Sequence, residues 1–159
     1  MVGERNDEGA IMALFDSTHM LGTIPAASQM EVFEALAHRA VELGSASDEA
    51  AVVADLKARE QESSTGFGGG IAIPHAKAES ISKPTVLFGR VGMPVEWGAL
   101  DGKPVSTFIS ILVPDGEGAE HLRILAKLAR RLIHEDFANG LRTGSDAEVC
   151  VLIEGVLAE

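Results

Sequence analysis

The chain has 159 residues, of which 46% are hydrophobic and 23% charged, the balance of one soluble globular domain rather than a disordered segment. A formal charge of −11 with no cluster of Lys and Arg argues against nucleic acid as a partner, and a single cysteine rules out an internal disulfide. No run reaches the roughly 20 apolar residues that span a bilayer, and the polar N-terminus lacks the basic-then-apolar layout of a signal peptide, so a cytoplasmic protein without direct membrane insertion is expected.

Residues 1–11 are polar and acidic without periodicity and are expected to be disordered, leaving 12–159 as one domain. Ser28 and Glu31 form a capping-box pattern ahead of Phe33, Leu36, Ala37, Ala40 and Leu43, which predicts a helix that stops at Gly44. Ser47, followed by Asp48 and Glu49, predicts the start of a second helix running through Val52, Val53 and Leu56 to about Glu60. The stretch Ser63 to Gly70 reads as a loop, and Ile71-Ala72-Ile73 as a short strand ended by Pro74, which places His75 just past the strand. Further strands are predicted over Thr85–Val91, Val95–Trp97 and Val105–Val113, the last apolar enough for the middle of a sheet.

Leu122, Leu125, Leu128, Ala129 and Leu132 predict a helix that begins close to His121. A short helical piece over Phe137–Leu141 and a closing helix capped by Ser145 and Glu148 complete the pattern. Helices alternating with strands point to an α/β domain, a sheet with helices on both faces. Cys150, inside the last apolar helix, reads as an inert packing thiol.

Of the five histidines, His75 and His121 lie beyond strand ends, where open α/β sheets place ligands, whereas His19, His38 and His134 read as surface or packing residues. The glycines before His75 allow two readings, a plain turn or a cradle of backbone N–H groups for an anion. Neither the Walker sequence nor G-x-G-x-x-G is present. Arg59 likewise reads either as a solvated helix-end cation or as a guanidinium fork for phosphate oxygens. A zinc site made of His75, His121, Asp115 and Glu120 lacks any local ligand signature, and a serine hydrolase lacks its G-x-S-x-G elbow, so neither a metal nor another cofactor is expected.

The run from Arg59 to His75, with Gly70-Ile71-Ala72-Ile73-Pro74-His75 at its core, resembles the phosphorylation-site region of the enzyme IIA proteins of the bacterial phosphoenolpyruvate-dependent phosphotransferase system, in the fructose/mannitol and nitrogen-regulatory class. Val113-Pro114 followed by His121-Leu122 resembles that family's second histidine segment, and Asp101-Gly102-Lys103-Pro104-Val105 fits as well. The resemblance implies a mannitol/fructose-type IIA fold, a mixed sheet between helical layers. It also implies a phosphotransferase role, with His75 as phosphoryl acceptor, His121 as supporting histidine, and Arg59, Thr65 and loop amides such as that of Gly70 around the phosphate. The implied donor is HPr or a nitrogen-branch HPr-like protein, and the implied acceptor an enzyme IIB domain or a regulatory target. No IIB or IIC portion accompanies the domain in this sequence, which favours nitrogen regulation over a sugar-specific role. A regulatory binding module with an unused histidine is the reading from a different class. Gly69 stands where the family often has asparagine.

Overall fold

The computed structural model describes residues 14–159; the N-terminal segment 1–11, expected to be disordered, lies outside them. In chain order the elements are β1 (Met20–Ile24), α1 (Gln29–Glu42), α2 (Glu49–Glu62), β2 (Gly66–Gly68), β3 (Ile71–Ala72), β4 (His75–Ala78), β5 (Thr85–Val95), β6 (Val105–Pro114), α3 (Gly118–Leu132), α4 (Glu135–Thr143) and α5 (Asp146–Leu157). The sheet runs β1-β5-β6-β3-β2, with β4 also pairing β6. It is mixed: β1 is parallel to β5, β5 antiparallel to β6, and β3 and β4 parallel to β6.

The central strand β6 is apolar on both faces because each face is covered. Phe108 and Leu112 join Val32, Phe33, Leu36, Val52 and Leu56 in a core beneath α1 and α2. Ile109, Ile111 and Val113 join Ile124, Leu128, Leu141 and Ile153 in a second core beneath α3, α4 and α5. The result is the layered α/β arrangement that the alternation of elements implies.

Caps hold the helices much as the sequence indicates, with two corrections. Ser145 and Glu148 form the full reciprocal box on α5. On α1 only half of it forms: Ser28 accepts the Glu31 amide, while the Glu31 carboxylate reaches one residue further back to the Ala27 amide at 2.9 Å. The cap of α2 is Asp48, not Ser47, since the Asp48 carboxylate accepts the Ala51 amide at 3.1 Å. At the other end of α1, Gly44 and Ser45 turn back onto Val41 and Ala40 through backbone bonds of 3.0 and 2.9 Å, the Schellman closure that ends a helix.

Two strand expectations change, and one strand is new. Thr85–Val91 and Val95–Trp97 are not two strands; Thr85–Val95 is continuous, with a register shift between Arg90 and Val95. β1 carries no sequence signal of its own; it is half-buried over most of its length, and Arg39 shields its outer edge by donating to the carbonyls of Thr18 and Met20 at 2.8 and 3.1 Å. The glycine stretch is not all loop: Gly66–Gly68 pairs antiparallel with β3.

Pro74 interrupts the strand without ending it. Ile71 pairs with Thr107, Ala72 with Phe108 and His75 with Ile111, so β3 and β4 keep one register along β6. The Pro74 carbonyl still accepts the Ile111 amide at 3.1 Å, so the pairing with β6 continues across the proline although the ring supplies no N–H of its own. His75 therefore opens a strand segment, correcting the expectation that it lies beyond one.

Two glycines in the hairpin ahead of His75 have distinct reasons. A Cβ on Gly66 would stand 2.9 Å from the Ala99 backbone, while Gly69 has φ +64°, a conformation that asparagine also accepts. Gly66→Ala is expected to destabilise the fold by about 2 kcal/mol, and Gly69→Asn by no more than about 0.5 kcal/mol. Urea denaturation of both variants checks the contrast, and a neutral Gly66→Ala would contradict the close packing of the hairpin on residues 97–99.

Candidate functional site

His75 and Lys77 alternate along β4, so both point to the side opposite Ala76, which enters the α1/α2 core. After β6 stops at Pro114, the turn over Asp115 and Gly116 leads into α3 and sets His121 in its first turn, with the His121 amide bonded to the Glu117 carbonyl at 3.3 Å. Because β4 lies beside β6, this brings the two imidazoles together: their centroids are 4.9 Å apart, with the rings tilted by 44°. Arg59, in the last turn of α2, reaches in from the other helical layer.

Hydrogen bonds define the state of His75. Its Nδ1 lies 2.8 Å from the Ile73 carbonyl, which can only accept, so Nδ1 carries the proton. Its Nε2 lone pair then accepts the Arg59 Nε–H at 2.9 Å, while Arg59 also donates to the Ser63 carbonyl at 2.9 Å. Burial pushes the His75 pKa down to about 4; the Ile73 bond, which favours the protonated ring, offsets only part of this, and the positive fields of Arg59 and His121 add to the depression. The ring is neutral at pH 7, with a nucleophilic nitrogen facing a guanidinium.

His121 is also held below the usual imidazole range, by burial first and then by Lys77 and Arg59. Its Nε2 is buried without a hydrogen-bond partner, a costly state for a polar atom unless something completes it. These groups line a cleft of about 410 Å³ that also includes Asp55 and Leu122. Asp55 is engaged by the Ser80 hydroxyl at 2.7 Å. Among the described residues no three His, Cys, Asp or Glu side chains converge as a metal would require.

The structure therefore brings together His75, His121 and Arg59 but does not bring Thr65 or Gly70 to the cleft lining. Thr65 is buried, and its amide and hydroxyl both donate to the Glu60 carboxylate, the amide at 2.8 Å. Gly70 closes the hairpin at the far end of β3, roughly 16 Å of extended chain from His75, where its carbonyl accepts the Ser106 and Thr107 amides at 2.9 and 3.1 Å. Lys77 escaped the sequence reading because the stretch after Pro74 was not taken as a strand; two-residue alternation from His75 would have found it. The other histidines lie apart: His19 is buried against the Val86 carbonyl at 2.8 Å, His38 is exposed between Glu42 and Glu49, and His134 precedes α4. Cys150 is half-buried, with its thiol pushed up by burial and by Glu154.

Residues 13–155 match the family described as the phosphoenolpyruvate-dependent sugar phosphotransferase system, EIIA 2. The chain is 42% identical over 135 residues to the PTS system fructose-specific EIIA component of Haloferax volcanii, covering 85% of this chain and 86% of that protein. It is 39% identical over 121 residues to a nitrogen regulatory protein of Bradyrhizobium diazoefficiens, covering 76% of this chain and 78% of the other. Among solved structures, the nitrogen regulatory protein IIA-Ntr of Neisseria meningitidis superposes with a TM-score of 0.82 at 34% identity over 90% of this chain and 97% of that one. The mannitol enzyme IIA of Escherichia coli, solved in complex with phosphorylated enzyme IIB, gives 0.73 at 25% identity over 89% and 97%.

The depressed pKa of His75 has a definite sign in stability. Between the unfolded value of 6.5 and the folded value of about 4 the unfolded chain binds more protons, so stability falls as pH drops through this window. An NMR titration of the His75 ring is expected to give a midpoint near 4, and the urea midpoint is expected to be lower at pH 5 than at pH 7. A ring that titrates near 6.5 would contradict the burial and the Arg59 contact.

Proposed function

Because the chain belongs to the phosphoenolpyruvate-dependent sugar phosphotransferase system EIIA 2 family over residues 13–155, we propose that its phosphocarrier role is executed by His75, with His121 and Arg59 completing the site. The observation that carries this reading is a buried, neutral imidazole whose Nε2 lone pair meets the Arg59 guanidinium in a cleft lined by Lys77 as well as by Asp55 and Glu62, 4.9 Å between ring centres from a second histidine with an orphaned nitrogen. Imidazole in this state attacks phosphorus without a separate base.

In the proposed step a phosphohistidine of the donor enters the cleft and the His75 Nε2 lone pair forms the new N–P bond as the donor's N–P bond breaks. Nδ1 keeps its proton on the Ile73 carbonyl, so the phosphorylated ring carries positive charge beside the phosphoryl oxygens and leaves readily in the onward transfer. Arg59 gives up its bond to Nε2 and turns its donors to the phosphoryl oxygens. His121 completes its unfilled hydrogen bond on the same oxygens, and Lys77 adds charge from the strand. Thr65 and Gly70 serve this site by holding the hairpin that leads into it, not by touching the phosphate.

The donor in this reading is HPr or a nitrogen-branch HPr-like protein, and the acceptor an enzyme IIB domain or a regulatory protein. Nitrogen regulation is the preferred role, supported by the 0.82 superposition on the Neisseria protein. A fructose-specific role is the second reading, favoured by the 42% identity to the Haloferax protein.

Incubation with phosphoenolpyruvate, enzyme I and a cognate carrier is expected to add one acid-labile phosphoryl group by intact mass, absent in His75→Ala. His121→Ala is expected to keep the acceptor but slow transfer by about 100-fold. Parallel reactions with HPr and with the nitrogen-branch carrier separate the two roles by the ratio of their kcat/KM values. No phosphorylation by either competent donor would replace the carrier with a regulatory binding module.

A further inference from the structure

The last turn of α2 holds an electrostatic oddity. Glu60 sits at the carboxyl end of a 14-residue helix, where the backbone dipole disfavours an acid. Its carboxylate is committed to one residue, accepting both the Thr65 amide at 2.8 Å and the Thr65 hydroxyl. The same hydroxyl oxygen accepts the buried Trp97 indole N–H at 3.2 Å. Thr65 in turn uses its carbonyl to accept the Ile73 amide at 2.9 Å, and the Ile73 carbonyl accepts the proton on His75 Nδ1 at 2.8 Å.

We propose that Glu60 and Trp97 are positioning residues for phosphoryl transfer: by locking Thr65 they fix the Ile73 carbonyl, and with it the tautomer and aim of the His75 ring. This rests on His75 being the phosphoryl acceptor. Neither residue touches the reacting atoms; Glu60 acts through a hydrogen-bonded path across two backbone segments. The arrangement also explains why Arg59 and Glu60 are adjacent. Arg59 grips the Ser63 carbonyl at 2.9 Å while Glu60 grips Thr65, so the helix end pins the following loop at two points and holds the guanidinium over His75 Nε2. Thr65, aligned by resemblance with a phosphate contact, becomes the joint of this clamp.

The readout is the tautomer. A ring whose Nδ1–H has a fixed acceptor shows one protonated and one bare nitrogen, whereas a ring freed from it samples both tautomers. Glu60→Gln removes the carboxylate that accepts from both Thr65 groups. Trp97→Phe removes the indole N–H but keeps an aromatic ring between Phe33 and Phe108, whose centroids lie 5.6 and 5.1 Å from that of Trp97. Ser145→Ala, which breaks the distant cap of α5, supplies a control that loses stability without touching the clamp.

Ring nitrogen shifts of His75 and single-turnover transfer from a phosphorylated donor are measured in all four proteins. Glu60→Gln is expected to mix the His75 tautomers and to lower the maximal transfer rate about tenfold while the half-saturating donor concentration changes less than about twofold. Trp97→Phe is expected to move both readouts in the same direction by a smaller factor, and Ser145→Ala to leave both at wild-type values. A wild-type tautomer and rate in Glu60→Gln would overturn the proposal, as would equal rate losses in Ser145→Ala. Should Glu60→Gln fail to fold, unchanged ring shifts in Trp97→Phe are decisive against it. The tautomer is read without any donor, so a wild-type protein that takes no phosphoryl group would remove the carrier reading while leaving the positioning result to stand or fall on the ring shifts.

Discussion

The hydrogen bond from His75 Nδ1 to the carbonyl of Ile73, two residues earlier, is the constraint on which the proposed chemistry rests. Proline lies between the two residues and does two things there. It confines Ile73 to extended backbone, and it fixes its own φ, so the Ile73 carbonyl is presented to the following ring at one distance rather than many. Only then is Nε2 left as the bare nitrogen, and only then does the Arg59 Nε–H have a lone pair to meet at 2.9 Å. A ring with the opposite tautomer would set two donors against each other.

That local constraint needs the whole sheet. Arg59 comes from the layer formed by α1 and α2, and His121 from the layer that begins with α3, so the site exists only where the two layers meet over β4. The two cores are separate sets of side chains on opposite faces of β6, joined by the alternation of Phe108, Ile109, Ile111 and Leu112. Burial between the layers also accounts for the depressed pKa of His75 and for the unpartnered Nε2 of His121. The unpartnered Nε2 of His121 carries a cost in the resting protein, which a phosphoryl group bound as proposed would relieve.

Much of this was legible in the sequence. Helix ends marked by Ser28, Ser145 and Gly44 could be read because side chains within a few residues define them. The long apolar strand before Pro114 and the place of His121 beyond it followed from the residue pattern, and the family resemblance paired it with His75, although His75 opens a strand segment rather than lying beyond one. The parts that escaped depend on neighbours distant in the chain. β1 is specified by parallel pairing with β5, and its five residues carry no pattern that distinguishes them from a connection. Gly66–Gly68 becomes a strand only because Ile71 and Ala72 lie alongside, a tertiary override of glycine's poor strand propensity. Thr65 was placed at the phosphate by likeness to the family, but the Glu60 carboxylate and the Trp97 indole, the latter 32 residues away, hold it elsewhere.

In the proposed mechanism phosphoryl transfer runs through Nε2 of His75, with Nδ1 protonated on the Ile73 carbonyl. Nitrogen-15 and phosphorus-31 NMR of the phosphorylated protein reads which ring nitrogen couples to phosphorus. Coupling at Nε2 of His75, with a proton retained on Nδ1, is the result the geometry predicts; phosphorus on Nδ1, or on His121, would contradict it.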